Sequence, residues 1–468
     1  MTGSDDKPRE FCGITGIYGH EQAAELAYLG LYALQHRGQE GAGIVSSDGR
    51  KVCQHRGRGL VNDVFSSPEI LRRLDGHIAI GHNRYSTSGS DKNINVQPVL
   101  VNYKDGPLAL GHNGNLVNAL SIRRKLESEG ALFQTTTDSE VIIHLIARSK
   151  KTSLVECVLD ALRQVKGAYS LVIMTRDQLI VARDPHGFRP LALGSMGGTV
   201  VAASETCAMD LLGAAYERDV EPGELILINE KGVESFRISK RTTHAHCIFE
   251  FVYFSRPDSR IFEQNVDKTR RKLGKRLAEE HPAKGDIVIS VPDSSNTAAL
   301  GYAMAAGIPF ELGLIRNHYI GRTFIQPQQD IRHFNVKVKF NPVVGVLKNK
   351  RIIVVEDSIV RGTTLRVLTQ LLKKAGAREV HVRVSSPPIV SPCFYGMDFP
   401  TRDELIAAKN DIDTIREYLS ADTLGYLSLE GLKASVPSQG CGYCAACFGG
   451  AYPVQVEDNF DKRACESC

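Results

Sequence analysis

The chain has 468 residues, with 57 Lys and Arg against 53 Asp and Glu and a formal net charge of +4. That length exceeds what one hydrophobic core usually serves and predicts two domains of roughly 200 residues each. The basic residues are scattered, and no window reaches the eighteen or so apolar residues of a membrane span, so neither nucleic acid nor a membrane is predicted as a partner.

Residues Met1 to Phe11 are polar and acidic and lack the apolar stretch of a secretory signal. Eleven cysteines in a chain of this length, without an export signal, predict a reducing cytoplasm, where clustered cysteines read as metal ligands or catalysts.

Cys12 opens the run Cys-Gly-Ile-Thr-Gly-Ile-Tyr-Gly. If cleavage after Phe11 made it the first residue, its α-amine, with an ordinary pKa of about 7.7–8.0, would serve as base for its own thiol. Met1–Phe11 is therefore read as a propeptide. Beyond it, Ile78 to Gly81, Ser170 to Met174, Leu179 to Ala182 and Glu224 to Ile228 read as strands, and Glu21 to Leu34 and Glu140 to Ser149 as helices, the second capped by Asp138 or Ser139. An α+β layered domain is predicted up to about Arg241.

Four polar clusters punctuate this half, all read as Gly-rich loops: Gln35-His-Arg-Gly-Gln39, Gly81-His-Asn-Arg-Tyr-Ser-Thr87, Gly111-His-Asn-Gly-Asn115 and Thr135-Thr-Thr-Asp-Ser-Glu140. Singly, each has a plain reading: His-Asn-Gly-Asn is a turn, and Cys12 an ordinary thiol. His36 and His82 are given no chemical role, and Arg37 is read as a structural organiser.

Past Ser239 to His246 the pattern becomes βα units. Asp286 to Val291, Arg351 to Val355 and Val380 to Val384 are compact apolar strands, and a helix runs from about Thr363 to Ala377. A parallel sheet is predicted, with ligands beyond its strands' carboxyl ends. The run Arg351-Ile-Ile-Val-Val-Glu-Asp-Ser-Ile-Val-Arg-Gly-Thr-Thr364 joins a strand through two acids and a Ser/Gly/Thr loop to a helix, a natural phosphate cradle. The plain alternative makes Glu356-Asp357 a helix cap.

Near the end, Cys444 and Cys447 with Cys465 and Cys468 fit the structural zinc template C-x₂-C-x₁₅₋₂₀-C-x₂-C. Cys441 offers a shifted register. Cys53, Cys157 and Cys207 read as plain core thiols.

The four polar clusters with Cys12 resemble the N-terminal-nucleophile glutamine amidotransferases, a layered αββα fold, over Cys12 to about Arg241. The Arg351–Thr364 run resembles the α/β type I phosphoribosyltransferases, and the whole string is similar to the amidophosphoribosyltransferase family, iron–sulfur-containing type. The resemblance implies a division into residues 1–11, 12–241, 242–435 and a Cys-rich tail 436–468. It implies Cys12 as nucleophile, the Asn113 amide and the Gly114 N–H as oxyanion hole, Arg84 on the glutamine α-carboxylate and Asp138 on its ammonium.

The same resemblance assigns Asp357, Ser358, Ile359, Val360, Arg361, Gly362, Thr363 and Thr364 to phosphoribosyl pyrophosphate. It places Mg²⁺, one per subunit, at Ser294, Glu356 and Asp357, with Glu356 standing where Asp is usual. Tyr319 and Arg322 would belong to a mobile loop that closes an ammonia passage. One [4Fe–4S] cluster per subunit would sit on Cys247, Cys393, Cys444 and Cys447, against the zinc reading. The implied activity is glutamine-dependent synthesis of 5-phosphoribosylamine, opening purine synthesis, in a cytoplasmic homotetramer inhibited by purine nucleotides. Rivals are another amidotransferase, such as glucosamine-6-phosphate synthase or asparagine synthetase, and a non-catalytic phosphoribosyl-pyrophosphate-sensing regulatory protein.

Overall fold

Alternation of apolar side chains builds the first half. In the strand Gly167–Met174, Leu171 and Ile173 face one way and Val172 and Met174 the other, as a two-residue period requires. The first pair packs under the helices Ser139–Arg148 and Leu154–Leu162 through Val141, Ile142, Ile146 and Val158. The second pair meets Ile14, Ile78 and Ile80 of another sheet. On that sheet's far side Ile17, Ile44 and Ala79 pack against Ala23, Ala27 and Leu31 of the helix Ala23–Ala33. Three apolar layers thus separate helix, sheet, sheet and helix, the αββα order expected.

The computed structural model describes residues 12–85, 93–317, 339–397, 399, 401–437 and 442–456. Among them, a seven-stranded antiparallel sheet carries Gly13–Tyr18 between Thr199–Ala203 and Ile78–Arg84. A six-stranded antiparallel sheet carries Gly106–Leu116 between Val99–Tyr103 and Gly167–Met174.

Two of the polar clusters expected in loops lie on strands. Gly81 to Arg84 ends the strand Ile78–Arg84, and Gly111 to Asn115 lies within Gly106–Leu116. Their glycines serve close packing: a Cβ at Gly81 would come within 2.6 Å of Thr15 Oγ1. The polar side chains between them are buried inside the sandwich, where a sequence pattern of surface alternation has no hold.

The second half is a four-stranded parallel sheet in the order Ile287–Ser290, Arg351–Glu356, Glu379–Val384, Thr423–Tyr426. Ile352 and Val354 pack with Leu365, Leu368 and Leu372 of the helix Thr363–Lys374. Ile353 and Val355 face Leu273 and Leu277 of the helix Val266–Glu280 and Ala298 and Tyr302 of the helix Asn296–Ala306. Helices on both faces make the doubly wound arrangement expected. Ile238 packs in the first half's core and Ala245 in the second's, whose cluster also takes in Val117, Ala168 and Phe188. Among the described residues no helix is long and apolar enough to cross a membrane.

Candidate functional site

Cys12 is 4% exposed at the start of the strand Gly13–Tyr18, and its thiol donates to the Tyr85 carbonyl at 3.5 Å. Burial pushes the thiol up to about 11, against the Tyr85 contact and the positive charge of Arg84, while Asp138 and Glu40 push it further. The thiol is therefore neutral near neutral pH and needs a base. Arg84 and Asp138 both bear on that ionisation, so the two residues assigned to glutamine's charged ends lie around the nucleophile.

Asp138 occupies the N-cap position of Ser139–Arg148 but makes no side-chain cap bond, contrary to the capping expectation. Its Oδ2 instead accepts the Leu116 N–H at 2.8 Å, and its Oδ1 lies 3.7 Å from His112 Nδ1. Burial would raise this carboxyl, but His112, the Leu116 N–H and Ser139 hold it below its ordinary value, ionised. Next to His112, Asn113 is fully buried, and neither its Nδ2 nor its Oδ1 has a hydrogen-bond partner among the described residues. A buried amide with both ends open is costly unless a ligand completes it. Gly114 follows at φ +151°, where a Cβ would fall 2.1 Å from the Ala168 carbonyl oxygen.

The sequence reading missed Glu205 and Glu250. Arg37 Nε donates to the Cys12 carbonyl at 3.3 Å, and its guanidinium pairs with Glu205 and, at 2.8 Å, with Glu250. Arg189 reaches Glu250 at 3.5 Å, and His36 meets Glu205 at 2.8 Å. Arg37, Arg189, Glu205 and Glu250 are at most 1% exposed. The signal was a lone acid in the apolar run Ile248-Phe-Glu-Phe-Val252, because a fully buried carboxylate demands a partner. His82, buried and pushed down to about 3 by burial, is neutral, its Nε2 against the His112 carbonyl.

In the second half, the neighbouring strand ends Ser290 and Val355 are in register. The turn after Ser290 brings Ser294 and Ser295 to the acids after Val355. Ser294 Oγ donates to Asp357 Oδ2, Ser295 Oγ donates to Glu356 Oε1 at 3.2 Å, and Ser358 Oγ donates to Asp357 Oδ1 at 2.7 Å. The helix cap is Gly362, in the left-handed conformation at φ +76° with no side-chain cap bond, so the acids do not cap it. Ile359 and Val360 are buried, Arg361 pairs with Glu404, and Thr363 and Thr364 begin the helix. Hydroxyls, a left-handed turn and a twelve-residue helix's start meet beside two carboxylates.

Cys247, Cys393, Cys444 and Cys447 line one pocket with Phe188, Tyr395 and Tyr452. Cys247 and Cys444 are aligned by a short parallel pairing, and the Val390 and Ser391 N–H groups both donate to the Cys447 carbonyl. Burial pushes Cys247 up to about 11 and raises Cys444 and Cys447, and the nearby Cys393 raises all three further. Deprotonated together, four such buried thiols would need a cation. Among the described residues no group of three or more His, Cys, Asp or Glu is placed to hold a metal ion. Cys441, Cys465 and Cys468, Tyr319 and Arg322, Ser86 and Thr87, and Met1–Phe11 lie outside the described residues. Cys157 and Cys207 are buried and Cys53 is partly buried, all free.

Residues 82–210 match the glutamine amidotransferase domain family and residues 260–386 the phosphoribosyl transferase domain family. The chain is 51% identical over 452 residues to an amidophosphoribosyltransferase of Bacillus subtilis (strain 168), spanning 96% of this chain and 95% of that protein. It is 51% identical over 455 residues to a chloroplastic amidophosphoribosyltransferase of Vigna aconitifolia, spanning 97% and 93%. A solved structure described as the allosteric regulatory enzyme of purine biosynthesis superposes with a TM-score of 0.93 at 50% identity, covering 97% of this chain and 99% of that one. The glutamine phosphoribosylpyrophosphate amidotransferase from B. subtilis complexed with ADP and GMP superposes with a TM-score of 0.92 at 50% identity, covering 96% and 99%.

Proposed function

This chain belongs to the amidophosphoribosyltransferase family, and from that premise we propose which of its residues carry each half of the reaction. The enzyme converts glutamine, water and phosphoribosyl pyrophosphate into 5-phosphoribosylamine, glutamate and pyrophosphate, a step of purine biosynthesis. Residues 12–241 release ammonia, 242–435 use it, and 436–468 form the Cys-rich tail.

Cleavage after Phe11 frees the Cys12 amine, which takes the thiol proton as sulfur attacks the glutamine amide carbon. The Asn113 amide and the Gly114 N–H receive the developing oxyanion, while Arg84 and Asp138 hold the α-carboxylate and α-ammonium. The thioester forms, ammonia leaves with the returned proton, and water releases glutamate. The observation that carries this assignment is the Asn113 amide, buried with both polar ends open beside an ionised Asp138.

Asp357 and Ser358 through Thr364 hold the ribose and its 5′-phosphate, and ammonia displaces pyrophosphate at ribose C1 with inversion. Ser294, Glu356 and Asp357 offer hydroxyl and carboxylate oxygens suited to Mg²⁺, which usually enters with the phosphates it binds. When bound, Mg²⁺ supplies positive charge to the leaving pyrophosphate. Cys247, Cys393, Cys444 and Cys447 hold a [4Fe–4S] cluster, a staple between the tail and the second domain. The assembly is read as a cytoplasmic homotetramer, and its regulation by purine nucleotides is supported by the ADP and GMP named for the B. subtilis structure.

The test is Cys12→Ala in the processed enzyme. Glutamine-dependent synthesis is expected to vanish, while added ammonia still yields 5-phosphoribosylamine. Retained glutamine turnover, or loss with both nitrogen sources, would count against the assignment.

A further inference from the structure

The oxyanion residues of the first half rest on the segment of the second half that delivers one of the four cysteines. Asn115 Nδ2 donates to the Phe394 carbonyl at 2.9 Å, across 279 positions of sequence. Gly396 lies against Gly114: a Cβ at Gly396 would stand 3.2 Å from the Gly114 carbonyl carbon and 3.3 Å from its Cα. Between these contacts the Tyr395 carbonyl accepts Arg189 Nη2 at 2.6 Å, and the Tyr395 ring stacks on Phe188 with centroids 4.4 Å apart. The Tyr395 N–H donates to Cys393 Sγ at 3.4 Å.

Each residue from Cys393 to Gly396 is therefore engaged, two of them with the oxyanion strand. A Cβ at Gly114 would fall 2.1 Å from the Ala168 carbonyl oxygen, so the backbone there is closely packed. An oxyanion donor must stand where charge develops, and a displacement of about 1 Å costs up to about a hundredfold in rate.

We propose that Asn115 is a positioning residue of the glutaminase, docking the Asn113–Gly114 oxyanion donors on the Cys393–Gly396 segment of the second domain. The inference rests on the oxyanion role proposed above for those two residues. Its consequence is that glutamine cleavage depends on a correctly seated second domain, which limits release of ammonia where no acceptor site is formed. Asn115 touches no reacting atom; it acts through Gly114.

The experiment compares Asn115→Asp with wild type in the fully processed enzyme. The carboxylate keeps the shape of the amide and places an acceptor against the Phe394 carbonyl. Glutamine hydrolysis should lose roughly tenfold in kcat, with KM for glutamine changed by less than about twofold. Ammonia-dependent synthesis should hold, as should the rate of iodoacetamide alkylation at Cys12, which uses the thiol but no oxyanion. A merely structural lesion would lower all of these together, and that parallel loss would overturn the proposal, as would a wild-type glutamine kcat. Gly396→Ala, whose Cβ presses on Gly114, must show the same selective loss and carries the test if Asn115→Asp does not fold. Cys12→Ala, run alongside, separates the two levels: if it kept glutamine turnover the oxyanion reading itself would fall, whereas its loss with an unaffected Asn115→Asp would sink the docking role alone.

Discussion

Glu250 holds two guanidiniums at the junction of the two halves. Its Oε1 accepts Arg37 Nη2 at 2.8 Å and Arg189 Nη1 at 3.5 Å, and its Oε2 accepts Arg37 Nη1 at 3.1 Å and Ser255 Oγ at 2.8 Å. The carboxylate is fully buried. Glu250→Gln keeps the volume and removes the charge, leaving two buried guanidiniums to share one carboxylate fewer. Removing one partner of a buried ion pair costs about 3–5 kcal/mol, because the charge left behind stays out of water. That is two to four powers of ten in the folding equilibrium, at about 1.4 kcal/mol per tenfold.

The assay is urea unfolding of wild type, Glu250→Gln, Arg37→Met and the double variant. The double is expected to cost less than the sum of the singles, since Arg37→Met removes the charge that Glu250 serves. Because Arg37 Nε also donates to the Cys12 carbonyl, glutamine-dependent kcat should fall with stability. A Glu250→Gln variant within about 1 kcal/mol of wild type, the range of an exposed pair, would refute the reasoning.

Asn113→Ala should lower glutamine-dependent turnover by about 10²–10³ while ammonia-dependent synthesis persists, as loss of one oxyanion donor does; steady-state rates with each nitrogen source check it. Gly362→Ala should raise KM for phosphoribosyl pyrophosphate and cost roughly 1 kcal/mol, because φ is +76° and a Cβ would sit 3.2 Å from Ile406 Cδ1. Cys393→Ala should abolish iron and acid-labile sulfide; stoichiometric zinc without sulfide in wild type would refute the cluster reading. Glu205 lies well below the carboxylate range: burial would raise it, but His36 and Arg37 outweigh burial. A depressed carboxyl stabilises the fold above its unfolded pKa of about 4.3, and that stability is lost as pH falls through the folded value. Glu205→Gln should therefore weaken the protein fully at neutral pH, and a wild-type to variant gap that grew on acidification would show the sign to be wrong.

Much of the site was legible in sequence because its chemistry is local. The Glu356-Asp357-Ser358 turn and the Gly362 bend lie within one strand–loop–helix unit, and near neighbours set their geometry. Asp138 was misread as a cap for the converse reason. Its carboxylate finds the Leu116 N–H on a strand 22 positions away, and a tertiary hydrogen bond outcompeted the helix end. Gly111 to Asn115 read as a loop because polar residues and glycines mark surface turns, yet here they are the interior of a sandwich.

Side-chain period and contiguous motif made both layered architectures and the Arg351–Thr364 strand–loop–helix unit readable from the sequence alone. Local spacing paired Cys444 and Cys447 with Cys465 and Cys468, while only the family resemblance joined them to Cys247 and Cys393. Packing brings Cys247 and Cys393, remote in the chain, to one pocket with Cys444 and Cys447. Glu205, Glu250 and Asn115 also took their roles from the tertiary structure: each meets partners remote in the chain, and burial makes an unmatched charge or amide too costly to leave open.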